Sequence, residues 1–165
     1  MNNDLVSYIE RIELIAFFAG YPLIYSLVIF FAGEHRPFAN RLKTLLPFGY
    51  ALTATLFLGI VLKDNYPGPL KNIPAQLFNS YWRIWGILAL LFWIPAFGKN
   101  PVFSLLHSLV FFFLLLYDLF MISSFDNDLL KNDMKIYTVS LLLNSVTLAI
   151  ILLVDAGRKR FRIRT

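Results

Sequence analysis

Two polar stripes stand out against an otherwise apolar chain, and they hold most of the side chains able to do chemistry. His107 and Asp118 are eleven residues apart, three turns of a helix, with Ser104 and Ser108 flanking the same stripe. Ser140, Asn144 and Thr147 recur at helical spacing further on. A charged side chain within a membrane segment costs roughly 2.5–3.5 kcal/mol on insertion scales, so Asp118 calls for a partner or a task. An ion pair with Arg83 is one reading, with Lys135 as the alternative cation; a proton- or ion-handling carboxylate is another. His107 has the chemistry to ligate a haem, a chlorin or a metal. A bis-histidine haem needs a second inward histidine, and His35, the only other, falls in a loop. The plainer role for His107 is a hydrogen-bonded packing element.

Other chemistries are excluded by what is missing. The chain has no cysteine, which removes disulfides, thiolate nucleophiles, iron–sulfur clusters and thiolate-bound zinc. No pair of intramembrane aspartates offers an acid–base dyad, and no Ser-His pair or metal-ligand set appears, so neither catalytic residues nor a cofactor is expected.

The elements that position these residues follow from composition. Hydrophobic residues make up 58% of the 165 and charged residues 15%. Soluble domains run nearer 45–50% and about 25%. A globule of this size cannot hide so much apolar surface in one core, so the excess must face lipid. About 20 apolar residues cross a bilayer as a helix. Five segments qualify: about Leu14 to Ala32, Thr44 to Leu62, Trp82 to Phe97, Pro101 to Ile122 and Ile136 to Val154. The third is the shortest; if it were re-entrant, four would remain. The expected fold is an all-α integral membrane protein, a single domain of five transmembrane helices in an antiparallel bundle.

The connections read as Gly33–Lys43, a long Lys63–Tyr81 stretch broken by Pro67, Pro69 and Pro74, a turn from Gly98 into Pro101, and Phe125–Lys135. Pro74 is expected to open a short helix. No basic region or small-residue cleavage site flanks the first apolar run, which therefore reads as a retained helix. Asp4 is its candidate N-cap. Leu5, Ile9 and Ile12 then share one helical face, while Glu10, Arg11 and Glu13 are polar, as in an interfacial lead-in.

Orientation follows from the basic residues. With the N-terminus outside, the cytoplasmic side collects Arg36, Arg41, Lys43, Lys99 and the tail Arg158, Lys159, Arg160, Arg162 and Arg164. Arg11, Lys63, Lys71, Arg83, Lys131 and Lys135 fall outside, with most of the acids. This gives N-out, C-in, in what reads as a bacterial inner (plasma) membrane.

Helices in lipid associate through close backbone approach and interhelical hydrogen bonds. Ala51, Thr55 and Gly59 on the second segment, and Ala16 and Gly20 on the first, form small-residue ladders expected to pack against each other. Pro22 and Pro95 should kink their helices. The two polar stripes are expected to face one another. The basic tail suits membrane lipids or an acidic partner, and eight residues offer no folded reader of nucleic acid.

These features suggest a non-catalytic subunit or scaffold of a larger membrane complex, with other membrane subunits or copies of itself as partners. The alternative is a small oligomeric channel or transporter using the His107, Asp118 and Asn144 stripe. A lipid-modifying enzyme is a third class, which lacks its usual acidic clusters here.

Overall fold

The structure, a computed structural model, describes residues 3–31, 37–64, 81–122 and 127–162. Among these the regular elements are all helical: α1 (Asn3–Phe18), α2 (Tyr21–Phe31), α3 (Pro37–Asp64), α4 (Tyr81–Leu88), a 3-10 turn at Ala89–Trp93, α5 (Pro95–Gly98), α6 (Pro101–Ile122) and α7 (Asn127–Arg162). Four stretches are long and apolar enough to cross a membrane: Ile9–Phe31, Asn40–Lys63, Pro101–Phe120 and Asn132–Lys159. The first of them is the α1–α2 pair. Tyr81–Trp93 is apolar but shorter.

Prolines explain both departures from straight helices. Pro22 lacks an N–H, and the chain breaks just before it, at Ala19–Gly20, into two helices rather than one kinked helix. The third apolar segment is not one helix. The residue before a proline avoids helical geometry, and Ile94 is extended at φ −77 and ψ 126. Upstream the chain tightens into 3-10 turns, and Ile94 N–H donates to Leu91 O at 2.9 Å. Pro47, by contrast, sits buried inside α3 without ending it.

Two expected loops are shorter than the sequence suggested. α3 begins at Pro37, so Arg41 and Lys43 lie in its opening turns. α7 begins at Asn127 and carries the Asn127–Lys135 stretch as helix. α1 begins at Asn3, which puts Asp4 inside the helix. The proposed Pro74 helix and Arg164 lie outside the described residues.

α3 is the hub, packed most extensively against α7 and against the 3-10 turn. The centre is aromatic. Phe18, Tyr50, Phe57 and Phe111 are at most 1% exposed, and Phe18 stacks on Phe111 with centroids 4.8 Å apart. The spans differ sharply in burial. In the first two, 56% and 50% of the most apolar window is buried, against 22% in each of the last two, so α6 and α7 turn most of their surface outward.

Close backbone approach occurs at Gly20, but not where the ladders placed it. A Cβ there would lie 2.6 Å from Leu141 N and 2.7 Å from the Ser140 carbonyl carbon. The partner of Gly20 is α7, not α3. Of the second ladder, Ala51 is fully buried, Thr55 is exposed, and a Cβ on Gly59 would meet nothing within 4 Å. The ladder faces outward over half its length because the inward face of α3 is set by Tyr50, Thr53, Ala54 and Phe57.

Candidate functional site

The polar residues of the bundle interior gather where the first span breaks. A helix interrupted at membrane depth leaves backbone groups that lipid cannot satisfy, so neighbouring side chains must do so. α7 supplies them. Gly20 N–H donates to Ser140 Oγ at 2.8 Å, and Asn144 Nδ2 donates to Phe17 O at 2.7 Å. The same amide donates its second proton to Ser140 O at 2.8 Å. On the α3 side, Thr53 Oγ1 lies 3.3 Å from Asn144 Oδ1 and 3.0 Å from Thr147 Oγ1. Ser140, Asn144, Thr147 and Thr53 are each at most 3% exposed.

The second stripe faces the same interior from α6. Tyr21 Oη lies 2.7 Å from Ser104 Oγ, and Ser104 itself donates to Pro101 O at 2.8 Å. The tyrosine is therefore the donor in that pair. His107 is held at both nitrogens: Nδ1 is 2.8 Å from Tyr50 Oη and Nε2 is 2.8 Å from Trp85 O. A carbonyl only accepts, so Nε2 carries the proton and Nδ1 accepts from the tyrosine. The imidazole also stacks on Trp85, with centroids 5.0 Å apart and planes 3° from parallel. Trp85 O belongs to the last turn of α4, where the helix gives way to the 3-10 turn. His107 thus pins α4 to α6 as Asn144 pins α1 to α7.

The expected face-to-face pairing of the stripes is replaced by a different arrangement. Ser104 and His107 reach Tyr21, Tyr50 and Trp85, whereas Ser140, Asn144 and Thr147 reach Phe17, Gly20 and Thr53. The broken first span and α3 lie between them because the most deeply buried helices occupy the middle of the bundle.

Asp118 is also differently paired. It sits near the end of the Pro101–Phe120 span and forms its ion pair with Arg11 on α1, whose guanidinium also lies 5.6 Å over the Tyr117 ring. Arg83 faces Glu10 at 3.4 Å and Glu13 at 3.7 Å. The α1 carboxylates claim Arg83, and Arg11 beside them is left to Asp118; Lys135 is exposed. The polar face of α1 is accordingly turned into the protein, while Ile9 is 45% exposed. At the opposite end Arg41 holds Asp155 through Nε at 2.6 Å and a second nitrogen at 2.5 Å, with Lys159 at 3.8 Å. Arg158 is exposed; Arg160 and Arg162 continue the helix.

Tyr21, Tyr50, Thr53, Glu10, Arg11 and Glu13 are the site residues that spacing alone did not single out. Their signal was present as hydroxyls within the first two apolar runs and as three charges of both signs just before the first.

The interior hydrogen bonds join α1, α2, α3, α4, α6 and α7 to one another. Both ring nitrogens of His107 are engaged in hydrogen bonds, and among the described residues no carboxylate bonds to it. Among the described residues no group of three or more His, Asp or Glu side chains is placed to hold a metal ion. No protein-family model, curated protein or solved structure matches the chain.

Proposed function

We propose that this chain is a non-catalytic subunit or scaffold of a larger membrane assembly, a rigid bundle that presents α6 and α7 to a neighbour. The observation that carries the reading is the division of labour between polar groups and surface. The interior hydroxyls, amide and imidazole are spent on one another and on the broken backbone, which favours rigidity over a water path. The outer face of α7 instead offers a shallow, open apolar surface formed by Thr138, Leu141, Leu142, Ser145, Val146 and Ala149. Thr138 and Ser145 return their hydroxyls to Met134 O and Leu141 O, so this surface is apolar in character. A second transmembrane helix fits such a surface.

Five crossings, N-out and C-in, accompany this reading. Arg11, Arg83 and Asp118 mark one end of the bundle, and Arg41 and Asp155 the other. α3 starts at the Arg41 end and α6 must start there too, because it finishes at Asp118. On this reading the chain between them returns across the bundle. Its described part begins with Arg83 beside Glu10 and reaches Gly98 beside Phe48. With 1.5 Å per residue in α4 and 2.0 Å in the 3-10 turn, Tyr81–Trp93 advances about 22 Å, most of the roughly 30 Å hydrocarbon thickness, before the chain bends at Ile94 and brings Gly98 against Phe92 O. The basic tail then lies on the cytoplasmic side of a bacterial inner membrane.

Purification in mild detergent with mass spectrometry of what accompanies the protein tests the assignment. A stoichiometric membrane-protein partner, or a second copy, is expected, and Ser145→Leu with Ala149→Leu should release it while the bundle stays folded. A partner-free monomer contradicts it.

A second reading, a small channel or transporter, is favoured by the broken α1–α2 span beside Asn144, since discontinuous helices line substrate sites in many transporters. Ion or solute flux in liposomes, abolished by Asn144→Ala with folding intact, would support that class instead.

A further inference from the structure

At the Arg41 end a cleft of about 640 Å³ opens between α3 and α7, lined by Leu45, Phe48, Leu52, Trp93, Ile151 and Arg158, among others. Its walls are apolar and its mouth is charged. Trp93 is fixed as one wall by its Nε1–H, which donates to Thr55 Oγ1 at 3.0 Å, and by Phe48 at a centroid distance of 6.2 Å. From Leu45 to Leu52 the cleft follows α3 for about 10 Å, running from the charged mouth toward the bundle middle. At the mouth, Asp155 is already committed to Arg41 and Lys159. Arg158, which lines the cleft, has no hydrogen-bond or ion-pair partner among the described residues. Lys43 is exposed two residues from Arg41. Among the described residues at this end, the cations Arg41, Lys43, Arg158 and Lys159 thus stand against the carboxylate of Asp155.

We propose that this cleft binds one anionic phospholipid of the surrounding bilayer, with an acyl chain against Leu52, Phe48 and Trp93 and its phosphate on Arg158 and Lys159. An apolar slot ending in excess positive charge at an interface matches the two ends of such a molecule. A zwitterionic lipid offers the same chain without the net charge. Lys and Arg near a membrane surface each attract anionic lipid by about 1 kcal/mol, so loss of Arg158 should lower the preference about five-fold. The inference rests on membrane insertion and is independent of the subunit assignment.

The test is fluorescence quenching of Trp93 by acyl-brominated lipids in vesicles, read as the quenching that disappears in Trp93→Phe. In phosphatidylcholine vesicles, brominated phosphatidylglycerol should quench Trp93 at several-fold lower mole fraction than brominated phosphatidylcholine. Arg158→Gln, a change at an exposed side chain, should remove most of that difference. Lys63→Gln, exposed at the opposite end, should leave it intact. Equal quenching by both lipids, or an unchanged preference in Arg158→Gln, overturns the proposal. So does an unquenched Trp93 in a protein that self-associates, since the cleft would then be covered by a second copy.

Discussion

Replacing Gly20 with alanine separates the observed packing from the pattern that first drew attention to this residue. The added methyl carbon would sit 2.6 Å from Leu141 N, 2.7 Å from Ser140 C and 2.9 Å from Leu141 Cα. All three are backbone atoms of α7, so no side chain can swing aside, and the helices must separate. Overpacking of this kind costs about 1–3 kcal/mol. Separation also stretches the Gly20 N–H to Ser140 Oγ and Asn144 Nδ2 to Phe17 O bonds, and hydrogen bonds between membrane helices average about 0.6 kcal/mol each. The total, about 2–4 kcal/mol, corresponds to roughly 30-fold to 1000-fold in the unfolding equilibrium. Gly59→Ala is the matched control: its methyl meets nothing within 4 Å. Helix propensity alone then predicts no change or a gain of up to about 1 kcal/mol. Unfolding in mixed micelles with increasing SDS, followed by tryptophan fluorescence and circular dichroism, measures both. Equal stabilities for the two variants would refute the reasoning.

Further outcomes follow from the other contacts. A double-mutant cycle on Arg11 and Asp118 should give a coupling of about 1 kcal/mol, because both groups are only partly exposed, whereas a cycle on Arg83 and Asp118 should give none. The converse result would restore the pairing suggested by sequence. His107→Phe keeps the stack on Trp85 but orphans Trp85 O and Tyr50 Oη. It should destabilise by about 1–3 kcal/mol, seen in the same unfolding assay, while His107→Gln recovers part of the loss. Asn144→Leu removes the donor to Phe17 O and should cost about 1–2 kcal/mol. Asn144→Leu combined with Thr53→Val should be less than additive, since Thr53 loses its neighbour in either case.

The apolar runs were legible because lipid imposes a length and a composition on any helix that crosses it. Pro101 was readable as a helix start for the same reason it occurs there: its missing N–H costs nothing at that position. The Ser140, Asn144 and Thr147 stripe was legible as inward-facing, since hydroxyls and amides avoid lipid. Its partner was not, because a backbone opened by a break has no side-chain signature; Pro22 announced the break but not which helix would mend it. Rotation was the other hidden variable. Thr53 and Thr55 lie on opposite sides of α3, and the interval from Ala51 to Gly59 selected the wrong one. The charges of α1 read as solvent-facing because Leu5, Ile9 and Ile12 form a tidy apolar face, yet three half-buried ionic groups lie under the ends of α4 and α6. Ion pairs between helices distant in sequence leave no trace in local spacing.

The course of the chain through Tyr81–Gly98 decides the topology, and the absence of cysteine makes it directly measurable, since any introduced thiol reports alone. Lys63→Cys and Lys99→Cys flank that stretch, and both positions are exposed. In intact cells a membrane-impermeant maleimide should label Lys63→Cys and should reach Lys99→Cys only after permeabilisation. Labelling of both from the same side would mean that the stretch enters and leaves by one face, and the five-crossing bundle would have to be abandoned.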